Sequence, residues 1–246
     1  MKRNTSTRES AETKGIASKP PVLSWVDLDV GSDSGASVCL RKSDLTVRQG
    51  ELLVVHCEMS HQTRFFASVL QGLKPPSAGT VLFDQTDWTA MNDETLFRSR
   101  GQIGRVFDGV GWIANLNVTE NMMLSRQHHG DDDAVIMHQM EHWAEQIGLH
   151  RISRQRPAFV APGQLQIHQW IRAFLGPPKL VILERPMRYV ASKWRQKLTD
   201  AVQSLRKQAT AVVWISDVWN SDHLESLGAE HRLDVRHPEL NDGDDA

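Results

Sequence analysis

The chain has 246 residues, 40% of them hydrophobic, enough to enclose the core of one large α/β domain, or of a domain with a subdomain. Its 28 Lys and Arg against 30 Asp and Glu leave a net charge of −2, and that balance gives no whole-molecule field favouring nucleic acid. No apolar run approaches the roughly 18–20 residues needed to cross a bilayer, so a membrane is expected to be reached only through a partner.

Met1 to Pro20 is polar and mildly basic with no apolar stretch, which reads as a disordered leader and not as a secretory signal. Cys39 and Cys57 are the only cysteines. Their apolar, strand-like surroundings suit buried thiols in a reducing, cytoplasmic setting better than a disulfide framework. The continuous apolar run Leu52 to Val55 reads as a central strand covered on both faces. Thr63 to Gln71 follows as a helix with Phe65, Phe66, Val69 and Leu70 on one face, closed by Gly72. Pro75, Pro76 and Gly79 predict a turn before a strand at Thr80 to Phe83.

Farther along, Ile136, Met140, Trp143 and Ile147 recur at helical spacing and Gly148 ends that helix. Ile167, Ile171 and Phe174 mark another helix closed by Gly176, and Leu180 to Leu183 is the next strand. A helix through Trp194, Leu198, Ala201, Val202 and Leu205 precedes a last buried strand, Ala211 to Ile215. Strand–helix alternation of this kind predicts an α/β fold with a mostly parallel sheet and helices on both faces. An acidic tail over residues 237–246 closes the chain.

A strand, a short loop and a helix in that order are the setting of a phosphate-binding loop. The working loop reads G-x-x-x-x-G-K-S/T. Its glycines let backbone N–H groups approach phosphates, its lysine neutralises the β and γ oxygens, and its hydroxyl binds Mg²⁺. Here Cys57 to Arg64 reads C-E-M-S-H-Q-T-R. Cys57 and Gln62 stand for the glycines, Thr63 for the lysine and Arg64 for the hydroxyl residue, while Glu58 adds a negative charge where a polyphosphate would sit.

Around that loop, Gln49 to Phe83 (Q-G-E-L-L-V-V, the loop, then Q-G-L-K-P-P-S-A-G-T-V-L-F) resembles the first strand, helix and turn of an ATP-binding-cassette (ABC) transporter subunit. Ile103 to Met122 resembles that family's Q-loop and the L-T-V-x-E-N segment after it. Val160 to Pro186 is similar to the signature motif running into the Walker B strand, with Gly163-Gln164, Arg172-Ala173, Gly176 and Glu184-Arg185-Pro186 at family spacing. The resemblance spans roughly residues 22 to 220 and is nearest in flavour to cassettes of lipid-asymmetry or solvent-resistance importers. It implies a P-loop NTPase-like fold over residues 21–236, with a helical subdomain at about 109–165 between the Q-loop and signature positions.

The resemblance also shows what is missing. The signature L-S-G-G-Q is Val160-Ala161-Pro162-Gly163-Gln164, so Ala161 lacks the hydroxyl and Pro162 lacks a backbone donor. Asp108 replaces the Q-loop glutamine, Glu184 and Arg185 replace the Walker B Asp-Glu pair, Asp217 replaces the switch histidine, and Ala191 replaces an aspartate. Glu184 is left able to face a metal, whereas Arg185 cannot act as a base at physiological pH. No aromatic suited to stacking on adenine precedes the first strand; Val30 lies near where it would fall.

The expectation is therefore a structural or regulatory subunit that neither hydrolyses nor binds ATP, with no catalytic residue, metal or cofactor of its own. Its expected partners are a membrane permease and a second cassette, as homo- or heterodimer, which would place it at the inner face of the membrane. The alternative is a weak ATPase in which Arg64 stands in for the lysine and Glu184 holds Mg²⁺. Trp112, Ile113, Leu116, Met122 and Met123 form a candidate contact patch, with burial in the domain's own core as the competing reading. His128, His129 and Asp131 to Asp133 read as a solvated loop, not a metal site. His138 and His142 read as a polar helix face. Arg151, Arg154 and Arg156 read as a solvated basic stretch. Trp170, Trp194, Trp214 and Trp219 are expected in the core or an interface.

Overall fold

The computed structural model describes residues 19–31, 40–57, 60–109, 111–217 and 227–235, with residues 60–62 as backbone only. Most of the expected leader, the acidic tail, Cys39, Glu58 and Trp219 lie outside the described residues, as does the side chain of Gln62.

Five parallel strands form the central sheet. They are β3 (Leu52–Cys57), β6 (Ile103–Val106), β7 (Leu180–Glu184), β8 (Ala211–Ser216) and β9 (His231–Val235), in spatial order β6-β7-β8-β3-β9. Because side chains alternate across a strand, each interior strand supplies two cores. Leu52 and Val54 join Val181, Leu183, Val212 and Trp214 on one face. Leu53 and Val55 join Leu180, Ile182, Val213 and Ile215 on the other. β6 and β9 are the edges, and β9 shows it, with a half-buried H-R-L-D-V sequence where the interior strands are almost wholly apolar.

The first face is covered by helices. α3 (Val118–His128), α4 (Asp133–Ile147), α5 (Pro162–Phe174) and α6 (Arg195–Lys207) share one continuous apolar cluster with it, including Met122, Ile136, Trp170 and Leu198. The second face carries α1 (Ser60–Leu70) and an antiparallel sheet of β1 (Pro21–Val30), β2 (Leu40–Arg48), β4 (Ala78–Phe83) and β5 (Thr86–Asp87), ordered β2-β1-β4-β5. Trp25 of β1 meets Phe66 of α1 edge-on at 6.2 Å. The sequence led us to expect helices on both faces. Helices do lie on both, and an antiparallel sheet supplies much of the second cover besides.

β1 and β2 escaped the sequence reading for a local reason. Asp27 and Lys42 sit at φ +49° and +43°, and the pairing of the two strands shifts register around Trp25, Leu28 and Val30, so the alternation that marks a strand is interrupted. A short helix absent from the sequence reading, α2 (Asp93–Arg100), has Asn92 accepting the Thr95 N–H as its cap.

The helix expected from Thr63 starts at Ser60, so only residues 58 and 59 separate it from β3. The predicted eight-residue loop is thus mostly helix, since nothing from Ser60 to Arg64 supplies the backbone freedom that glycine gives a loop. The polar run at 128–133 is, as expected, a mostly exposed connection, here between α3 and α4. Gly130 turns the chain at φ +87°, His128 ends α3, Asp131 pairs with Arg126 at 2.6 Å, and Asp132 caps α4. Its members are helix caps and ion-pair partners, and His129 stacks on Phe97 at 4.2 Å. His138 and His142 do lie on α4, Arg151, Arg154 and Arg156 are exposed, and Trp170 and Trp214 are buried with Trp194 half-buried against the core.

Candidate functional site

The C-terminal ends of parallel strands are where α/β sheets collect functional groups. Here the ends of β6, β7 and β8, neighbours in the sheet, deliver Asp108, Glu184 with Arg185, and Asp217. These four sequence-predicted positions are brought together.

Glu184 is fully buried. Its Oε1 accepts from Arg105 Nε at 2.5 Å and its Oε2 accepts from the Asp108 backbone N–H at 3.4 Å. Burial pushes its carboxyl above the usual range, opposed by the Arg105 guanidinium beside it. Arg105 itself projects from β6 with 4% of its side chain exposed. It donates to Gln71 Oε1 at 3.0 Å and lies over the Phe107 ring at 4.8 Å. Glu184, which only the alternative reading assigns to Mg²⁺, faces an arginine here. Sequence reasoning passed over Arg105 because a lone cation in I-G-R-V looks like an exposed strand position.

A second group of charges adjoins the first. Asp108, 3% exposed at its side chain, accepts from Arg188 Nη1 at 2.6 Å and pairs with Arg185 Nη1 at 3.4 Å. The other end of Arg185 pairs with Asp217. Arg185 stands at φ +41°, a strained value for a non-glycine residue, and its backbone N–H donates to the Ile215 carbonyl at 2.8 Å. Bonding to Asp108 raises the Arg188 guanidinium further still. Arg188 was also missed, since nothing in P-M-R-Y distinguishes it from a surface residue.

The remaining expected positions are set differently. Arg64 reaches this group through its Nη2, which donates to the Asp108 carbonyl at 2.7 Å. Thr63 is buried. Cys57 closes β3 inside the second core, where burial pushes its thiol up to about 12. Gly163 and Gln164 open α5, with Pro162 at its first turn, a place where the missing N–H costs the helix nothing. A Cβ on Gly163 would stand 2.6 Å from the Tyr189 carbonyl, so tight packing within the chain already requires this glycine.

Both oxygens of Glu184 are occupied by protein donors, and the charges of Arg105 and, more weakly, Arg64 act on its carboxyl. Among the described residues, no group of three or more His, Cys, Asp or Glu is placed to hold a metal ion. The arrangement does not fit a divalent cation at Glu184.

The segment leaving this site is held closely. Gln169 of α5 accepts from the Phe107 N–H at 2.9 Å. Asn121 accepts from the Ile113 N–H at 2.7 Å and donates to the carbonyls of Ile113, Leu116 and Asn117. The capping box of Asn117 and Glu120 starts α3 there. The candidate contact patch divides: Met122 and Met123 are buried, Trp112 and Leu116 are half-buried, and Ile113 is 48% exposed. Ile113 borders a cleft of about 860 Å³ that also exposes Phe97 and Leu124. Among the described residues, no helix is long and apolar enough to cross a membrane.

Comparison with known proteins agrees with this fold. The ABC transporter family model matches residues 40–188. A methionine import ATP-binding protein of Acinetobacter baylyi is 25% identical over 188 residues, which cover 76% of this chain and 52% of that protein. This chain therefore spans about half the length of that relative. An uncharacterised ABC transporter ATP-binding protein of Escherichia coli K12 is 26% identical over 175 residues, 70% of this chain and 77% of the relative. Among solved structures, a dimeric ATP-binding cassette in a post-hydrolysis state with ADP and Pi superposes with a TM-score of 0.74 at 18% identity, covering 87% of this chain and 94% of the other. A Clostridium perfringens component of an ABC transporter complex gives 0.71 at 14% identity, covering 89% and 86%. With the family matched across more than half of the chain and the cassette fold alongside it, this protein belongs to the ABC transporter family, among the subunits built on the ATP-binding cassette.

Proposed function

We propose that this chain is a structural or regulatory cassette subunit of a transporter complex and that it does not hydrolyse ATP. The observation that carries the reading is the occupation of Glu184 by Arg105. In phosphoryl transfer the protein acts by positioning and by charge stabilisation, with metal and phosphate held by preset groups. Here the one carboxylate that would organise Mg²⁺ is already neutralised by a guanidinium, and Arg185, at the position of the catalytic base, is held between Asp108 and Asp217. The shortened connection before α1 removes the length of loop in which successive N–H groups could surround phosphates.

The retained fold supports a role as a shape that partners recognise. The cleft bordered by Phe97, Ile113 and Leu124 exposes large apolar side chains beside Arg100 and Arg172, a composition suited to protein contact. A membrane permease is the proposed partner there, with a second cassette, identical or not, completing the assembly.

Calorimetric titration with Mg-ATP, beside an active cassette, tests the reading. No heat at millimolar nucleotide and no phosphate release is the expected result. Mg²⁺-dependent turnover that disappears in Glu184→Gln would overturn it and establish a weak ATPase instead.

A further inference from the structure

The charges at the strand ends form an ordered chain, Arg188–Asp108–Arg185–Asp217, alternating in sign and summing to zero. The four members come from the ends of three neighbouring strands. Asp108 follows β6, Arg185 and Arg188 follow β7, and Asp217 follows β8. Exposure rises from the middle outward, from 3% at the Asp108 side chain to 16% at Arg185, 25% at Asp217 and 36% at Arg188.

Asp108 is also the root of the connection that leads through Trp112 and Asn117 into α3. Its own backbone is engaged at both ends, the N–H by Glu184 and the carbonyl by Arg64. Moving this root away from the sheet would leave a nearly buried carboxylate without its two arginines, a costly state. The same step would leave Arg185, already strained at φ +41°, with a half-buried guanidinium facing Asp217 alone.

We propose that these four side chains are a built-in tether, which fixes the root of the α3–α4 arm to the sheet in one arrangement without any bound anion. The site that would respond to a ligand has been replaced by a permanent internal clasp. The proposal rests on the reading that nucleotide does not act at these positions, and it adds that the chain holds its arm in one state regardless of nucleotide.

Distance measurement between spin labels tests it in the full chain. One label is placed on α4 at Gln146→Cys and the other on the antiparallel sheet at Thr86→Cys, both exposed, in a Cys39→Ser background. Cys57 is buried and its thiol is pushed up to about 12, so it stays unlabelled. The parent is expected to show a single narrow distance, unchanged by Mg-ATP. Asp108→Asn is expected to add a second distance carrying about a tenth or more of the population, and Arg188→Gln, a partly exposed site, a smaller shift in the same direction. If both variants keep the parent distribution, the tether is overturned while the reading of the nucleotide site stands. A parent distribution that moves on adding Mg-ATP overturns both, and is recognised by its dependence on nucleotide.

Discussion

Replacing Arg105 with methionine should be among the most damaging changes available to this protein, although Arg105 lies in none of the positions the family resemblance singles out. Methionine keeps the length of the side chain but leaves Glu184 fully buried without its paired cation. Breaking a buried pair by removing one partner costs about 3–5 kcal/mol. The lost bond to Gln71 and the lost stacking on Phe107 argue for the upper part of that range. For a chain of this size each kcal/mol lowers the unfolding midpoint by about 2–4 °C, so the expected fall is about 6–20 °C. The loss should depend on pH. Without Arg105, burial raises the Glu184 carboxyl from an ordinary value of 4.5 against only the Asp108 N–H and the Arg64 charge. A carboxyl whose folded value lies above its unfolded value imposes no penalty below the unfolded value, and a growing one as pH rises toward the folded value. The destabilisation should therefore be clearly smaller near about pH 5 than near about pH 8. The double variant Arg105→Met, Glu184→Leu removes both charges and should recover most of the loss, because apolar replacement of a buried pair is often neutral or stabilising. Denaturant unfolding at the two pH values reads all of this. A single variant within about 1 kcal/mol of the parent, or a double variant no better than the single, would refute the claim that this pair is a buried, mutually dependent unit.

Gly163→Ala would bring a Cβ to 2.6 Å from the Tyr189 carbonyl and should lower thermal stability by about 1–3 kcal/mol in the absence of any nucleotide; an unchanged melting curve would mean that packing does not explain this glycine. His168 is buried, its Nδ1 donating to the Gln164 carbonyl at 2.7 Å and its Nε2 accepting from the Ser153 N–H at 3.1 Å. Burial holds it below its ordinary 6.5, so the unfolded chain takes the proton first, and stability should fall as pH drops through 6.5 toward the lowered folded value. His168→Gln should flatten that acid-side slope in pH-dependent unfolding, and an unchanged slope would assign the effect to other groups.

The apolar runs Leu52 to Val55, Leu180 to Leu183 and Ala211 to Ile215 declared themselves as interior strands because both of their faces are buried, and a run with no polar interruption has few other places to go. The helices through Ile136 and Ile167 were legible for the complementary reason, a one-sided apolar stripe ended by glycine. Family spacing then located Asp108, Glu184, Arg185 and Asp217, which the fold does gather at neighbouring strand ends. Strands β1, β2 and β9 were not legible. Their pairing is settled across the sheet, their burial is partial, and the irregularities at Asp27 and Lys42 disturb the alternation that a sequence pattern depends on.

The sequence by itself determined which residues stand at the positions matched to the family's nucleotide motifs, since that follows from identity alone: Thr63 is not a lysine, and Arg185 is not a base. Only the tertiary structure decided what stands there instead. The partners Arg105 and Glu184 are 79 residues apart, and Asp108 lies 77 and 80 residues from Arg185 and Arg188. An isolated charge in a sequence is far more often solvated than buried. The energy of such a pair depends on distance and on how completely water is excluded around it, and neither quantity exists until the strands β6, β7 and β8 lie side by side.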